Sequence, residues 1–176
     1  ILAAEGVTPD NLERLAQSAG APVRLTITSR RARVLKFAQP KGRIITLSTE
    51  PALSAEIVNQ ISDPAETFAA QSLSFSCHET ETYDSESAAV ALTKLARLLP
   101  AALTAPIQAT YADDLAAWSS RHDLFLIDSG DVFQYEKTAA RTLLRVSEAN
   151  VPLADAGNAS VIAFRPRDGG LEHLAI

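Results

Sequence analysis

The chain has 176 residues, of which 47% are hydrophobic and 21% charged, a composition that can bury a sound core in one domain or one domain plus a further piece. A net charge of -5 argues against a nucleic-acid surface, which needs a concentrated basic face. Cys77 is the only cysteine, so an intrachain disulfide and a cysteine-rich structural zinc site are both excluded. No apolar run approaches the roughly 18 residues of a membrane span, and the opening residues lack the basic start and apolar core of a signal peptide. A soluble, cytoplasmic protein is expected, with neither membrane nor nucleic acid as a partner.

From the N-terminus, Thr8, Pro9 and Asp10 open a helix: Thr8 can cap, Pro9 suits the first helical position, and Leu12, Leu15, Ala16 and Ala19 form a stripe ended by Gly20. Residues 23–28 alternate as a strand with one wetter face, and 29–37 read as a basic helix capped by Thr28 or Ser29. The pattern over 38–84 is less orderly, with strands expected at 43–47 and 72–76 and a short helix at 54–60. Residues 85–99 carry apolar side chains at helical spacing, with Ser85 or Ser87 as N-cap, Glu86 near the positive end of the dipole, Lys94 and Arg97 toward the other end, and Pro100 as the stop. A buried strand over 101–105 follows.

Beyond residue 107, a helix is expected at 113–121, a strand at 124–127 and a helix at 130–135 capped by Ser129. That helix runs on or restarts through 138–148, with Leu143, Leu144 and Val146 inward. Residues 151–160 read as a loop, and 161–164 and 171–176 as two strands joined by a turn. Alternating elements of this kind make an α/β (α+β) protein, a mixed sheet flanked by helices with a two-strand piece at its C-terminus. A chain whose last strand is still apolar at its final residue suggests a piece of something longer.

Several residues invite a chemical reading. Cys77, His78 and Glu79 are three possible metal ligands, but neighbours on a strand point to alternate faces, so a surface strand or loop is the plainer reading. Arg30, Arg31, Arg33 and Lys36 could grip a phosphate through bidentate guanidinium contacts, and a solvated helix face is the favoured alternative. His122 sits beside Asp123 at a helix end, where capping is expected in preference to acid–base work. No nucleophile motif, phosphate-binding glycine loop or zinc signature is present.

Residues 1–35, through AAEGVTPDNLERLAQSAGAPVRLTITSRRARVL, resemble in pattern the first stretch of 3,4-dihydroxy-2-butanone 4-phosphate synthase, a riboflavin-pathway enzyme. Residues 85–107, with LARLLPAAL, resemble that family's helix after its His-Thr-Glu-Ala motif, and 113–135 its last helix, strand and short helix. In the family an acidic run ahead of the first segment and the motif histidine bind magnesium, and a later glutamate takes part in the chemistry. The resemblance puts the motif His and Glu on Ser85 and Ser87 and the later glutamate on Pro106, with the chain beginning after the acidic run. Serine is a weak neutral ligand and proline offers none, so a degenerate domain without catalytic, cofactor-binding or metal-binding residues is implied.

Residues 151–176, VPLADAGNASVIAFRPRDGGLEHLAI, resemble the opening of GTP cyclohydrolase II, whose zinc-binding cysteines lie further downstream; His173 falls on a strand residue there and is expected to be structural. Together the two resemblances imply a shortened synthase-like domain over 1–148, and a linker with the first strands of a cyclohydrolase domain over 149–176. The parent protein would be a cytoplasmic homodimer that converts GTP to a diaminopyrimidine phosphate with release of formate and pyrophosphate. No cofactor is expected in this stretch itself, and zinc is expected in the downstream domain. The alternatives are a stand-alone phosphometabolite-binding module, lined by Arg30 or Arg33, and residual synthase activity.

Overall fold

In the computed structural model, which describes all residues except 38–40, 67, 69–72, 109–113 and 168, the chain divides into two compact units, Ile1–Val132 and Phe133–Ile176. The position between 148 and 149, where the sequence suggests a domain boundary, lies inside a strand of the second unit.

The first unit runs β1 (Leu2–Ala3), α1 (Pro9–Ala19), β2 (Arg24–Thr28), α2 (Ser29–Val34), β3 (Ile44–Glu50), α3 (Ala55–Ser62), β4 (Ser74–Thr80), α4 (Ser85–Leu95), β5 (Ala101–Thr104) and α5 (Leu115–Arg121). Helix α6 (Ser129–Thr138) begins in this unit and ends in the second. The helix starts follow their local chemistry. Thr8 Oγ1 accepts from Asn11 N while the Asn11 side chain accepts from Thr8 N, a reciprocal box, and Ser54 caps α3 in the simpler way. Gly20 ends α1 at φ 66°, in the left-handed region that costs glycine least. The N-cap of α4 is Asp84, one residue earlier than Ser85 and three earlier than Ser87, the expected caps.

The sheet order is β1-β5-β2-β3-β4. Every pairing is antiparallel, so the sheet is not mixed and the arrangement is of the α+β kind. Side-chain alternation sends Leu25, Ile27, Ile45, Leu47, Ala101 and Leu103 to one face, where Leu12, Ala32, Val58 and Ile61 from α1, α2 and α3 close the main core. Ile44 and Ala102 point to the other face and pack against Ala89 and Val90 of α4. The small residues of α4 let it lie close to the sheet, over a surface that is partly hydroxyl. Thr26 Oγ1 and Thr46 Oγ1 are 3.2 Å apart, and Thr46 Oγ1 and Thr80 Oγ1 are 3.0 Å apart, giving the buried polar groups partners.

Two expectations fail. Residues 124–127 pair with no strand among the described residues. Residues 138–148, expected to be helical, complete α6, make a 3-10 turn at Ala139–Thr142 and enter strand β6 (Leu143–Leu153). The segment 143–153 carries Leu144 and Val146, then Ala149, Val151 and Leu153, in alternate places, and its pairing with β7 (Ala156–Pro166) overrides the helical spacing of Leu143, Leu144 and Val146. The loop expected at 151–160 is therefore the end of β6 and the start of β7. The two expected C-terminal strands are present as β7 and β8 (His173–Ala175), and β6 completes the order β6-β7-β8.

Candidate functional site

The three positions to which the synthase resemblance assigns chemistry lie at the N-terminus of α4 and just past β5. Ser85 is the first residue of α4 and is exposed. Ser87 is buried, and its hydroxyl donates to the carbonyl oxygen of Glu81 at 2.6 Å. That bond ties the loop after β4 to the first turn of α4, and a second tie runs from Glu81 N to Asp84 Oδ2 at 3.1 Å. Pro106 is exposed two residues beyond β5. A magnesium ion asks for carboxylate and water oxygens in octahedral array. A neutral hydroxyl already committed to a carbonyl, an exposed serine and a proline do not fit that donor set.

The Cys77-His78-Glu79 triplet on β4 does not converge. The Cys77 Sγ lies 3.8 Å from the Phe37 carbonyl oxygen, half-buried against the main core, and burial pushes its thiol up from the ordinary value. His78 points to the opposite face, exposed, in register with Thr46. Glu79 accepts from Lys41 N at 3.0 Å and Gly42 N at 3.2 Å, closing the turn that leads into β3. Among the described residues no group of three or more His, Cys, Asp or Glu is placed to hold a metal ion.

The basic helix separates into two roles. Arg30, Arg33 and Lys36 are exposed. Arg31 instead turns inward and caps the C-terminus of α3: Nε donates to Ile61 O at 2.7 Å, and Nη2 to Asp63 O at 2.8 Å and Gln60 O at 3.1 Å. Its planar fork answers the carbonyls that a helix end leaves without partners. Burial draws its guanidinium below the ordinary value, and the nearby Asp63 carboxylate pulls it back up. Sequence reasoning grouped Arg31 with its neighbours because its acceptors lie about thirty positions away, where no local pattern signals them.

His122 is the C-cap residue of α5, its ring 4.6 Å from that of Trp118, and its backbone N–H reaches back to Trp118 O and Ser119 O. His173 lies on β8 opposite Phe164, exposed. One residue that the sequence did not single out by itself is Glu5, whose carboxylate accepts from Leu99 N at 2.6 Å and ties the segment after β1 to the turn before β5.

No family model matches the chain. It is 40% identical over 173 residues to a GTP cyclohydrolase-2 from Azospirillum brasilense, an alignment that takes in 98% of this chain and 45% of that protein. The chain thus spans a little under half the length of the curated relative it matches. Among solved structures it is similar to a two-domain 3,4-dihydroxy-2-butanone 4-phosphate synthase from A. baumannii, with a TM-score of 0.59 and 18% identity over 98% of this chain and 60% of that one. At that identity the likeness is one of fold. The chain thus shares the fold of a 3,4-dihydroxy-2-butanone 4-phosphate synthase and is similar in sequence to a segment of a GTP cyclohydrolase-2.

Proposed function

We propose that this chain is the noncatalytic N-terminal part of a GTP cyclohydrolase II-type protein of riboflavin biosynthesis, serving as a scaffold, dimerisation or regulatory domain. The parent protein is a cytoplasmic homodimer that hydrolyses GTP to a diaminopyrimidine phosphate, formate and pyrophosphate, with zinc held downstream of this chain. The second unit, with its three-stranded sheet, is read as the entry to that catalytic part. Ser87 carries the proposal: where the synthase resemblance asks for a glutamate, a buried hydroxyl is spent on the Glu81 carbonyl. Its replacement role is to hold the start of α4, which is packing rather than chemistry.

The test is a pair of assays on the protein as its gene encodes it. Formate release from GTP is expected, and conversion of ribulose 5-phosphate to dihydroxybutanone phosphate with magnesium is not. Synthase turnover that survives Ser87→Ala would overturn the noncatalytic reading. A second reading, a phosphometabolite-binding module, is supported by Arg30 and Arg33, which are exposed one helical turn apart on α2. Under it, ribulose 5-phosphate, GTP or phosphate at 100 times its dissociation constant stabilises the protein by about 2.7 kcal/mol, a gain that Arg30→Glu with Arg33→Glu abolishes.

A further inference from the structure

Residues 29–43 hold six of the chain's 16 basic residues and none of its 21 acidic ones, which leaves ten basic against 21 acidic residues, a net charge of -11, everywhere else. Arg31 is turned inward onto α3, with Asp63 close to it. The other five, Arg30, Arg33, Lys36, Lys41 and Arg43, are exposed, and none of them forms an ion pair with a described residue. Two segments bring them to one end of the sheet. Arg30, Arg33 and Lys36 follow one another along α2 and its end. The turn that carries Lys41 and Arg43 is fastened to the start of α2 by Ser29, whose N donates to Arg43 O at 2.9 Å and whose hydroxyl donates to Gly42 O at 2.5 Å. Two carboxylates stand at the same end. Glu79 has both oxygens on the backbone of that turn, at Lys41 N and Gly42 N, and Glu81 follows Thr80, the strand partner of Ile44. The cations of this surface therefore outnumber its carboxylates by five to two.

Like charges gathered in this way repel one another and cost stability. The helix dipole accounts for Arg33 and Lys36, at the C-terminal end of α2, and not for the rest. Helices α1, α3, α4 and α6 each place an acidic residue in the first turn, where α2 places Arg30. We propose that Arg30, Arg33, Lys36, Lys41 and Arg43 form a binding site for an oligophosphate, a di- or triphosphate chain that is either free or carried by a nucleotide. The inference rests on the phosphate-binding reading of Arg30 and Arg33 and adds to it the turn at 41–43 and the class of ligand. A single phosphate carries about -1.5 to -2 charge and occupies one or two guanidinium forks, which leaves most of the five cations unanswered. Successive phosphoryl groups give each of the three arginine forks its own oxygens, with the two ammonium groups acting as point charges. The patch is also short, since the six residues of α2 span about 9 Å. A nucleic-acid strand would run past it along a chain whose remaining charge repels phosphate, whereas a compact polyanion ends within it.

Isothermal titration calorimetry on the full-length protein, at fixed ionic strength and with inorganic tripolyphosphate as the probe, tests this. Tripolyphosphate is expected to bind at least about 10-fold more tightly than orthophosphate. Its affinity is expected to fall about 10-fold in Lys41→Gln with Arg43→Gln, through the loss of two exposed charge contacts, and as much in Arg30→Gln with Arg33→Gln, with far-UV circular dichroism unchanged in both. Pyrophosphate and ATP are expected to bind and to respond to the same substitutions, because the phosphate chain is what they share. Tripolyphosphate binding that is indifferent to Lys41→Gln with Arg43→Gln, or no tighter than orthophosphate binding, would overturn the inference, and a loss confined to Arg30→Gln with Arg33→Gln would then leave the phosphate-binding reading in place. ATP bound without pyrophosphate would make the nucleoside the ligand, and a single-stranded oligonucleotide bound more tightly than tripolyphosphate through the same residues would make this a nucleic-acid surface; either result overturns the inference. Absence of binding by orthophosphate and tripolyphosphate alike would overturn both readings.

Discussion

Arg31 and Ser87 show how a side chain's meaning depends on what it reaches. Arg31 carries three hydrogen bonds to the end of α3 from α2, so it joins two helices that pack on the same face of the sheet. Charge-assisted bonds to backbone contribute about 1.5–3 kcal/mol each at best, and the half-exposed head discounts that. Arg31→Ala is therefore expected to lower unfolding stability by about 2 kcal/mol, with Arg31→Lys recovering less than half because one ammonium cannot span three carbonyls. Urea denaturation of the three proteins measures this, and equal stability would remove the clamp from the account. The side chains that act locally were legible: Thr8 and Ser54 cap the helices that their positions announce, because a cap reaches only three residues along the chain.

At the scale of elements, helix ends share a device. Beyond α2, α4 and α5 the residues Lys36, Arg97 and Asp123 sit at φ 60°, 60° and 54°, where α1 has Gly20. In each of the three, the following residue's N–H reaches back to the last turn: Phe37 N to Ala32 O, Leu98 N to Thr93 O, Leu124 N to Ser119 O. These are Schellman ends built on residues with a Cβ, each paying about 1 kcal/mol for the left-handed backbone. Arg97→Gly is expected to raise stability by about 0.5–1 kcal/mol, and Gly20→Ala to lower it by at least 1 kcal/mol, because the new methyl also meets the Gln108 side chain at 3.0 Å. Thermal melts of both variants check the opposite signs. The sequence marked where these helices stop through Gly20, Pro100 and the His122-Asp123 pair, but the end at Lys36 carries no residue that favours it. It also misplaced 143–153, since Leu143, Leu144 and Val146 suit a helix and a strand equally until β7 supplies the hydrogen bonds.

For the molecule as a whole, the two units differ in how deeply their strands are buried. Leu25, Ile27, Ile45 and Leu47 are enclosed between helical layers, whereas most of β6 and all of β8 is exposed. Native-state amide exchange is expected to be slowest in β2 and β3, at the free energy of global unfolding, and fastest in β8, which opens locally. Uniform protection across both units would show that they unfold together. The sequence by itself determined α1, β2, α2, α4 and β5 of the first unit, since capping, proline and glycine placement and side-chain period act within a few residues. Only the tertiary structure decided that Arg31 serves α3, that 143–153 is a strand and that 124–127 pairs with none among the described residues. Those outcomes depend on partners distant in the chain, and the free energy of a long-range pairing is not written in the local pattern that it overrides.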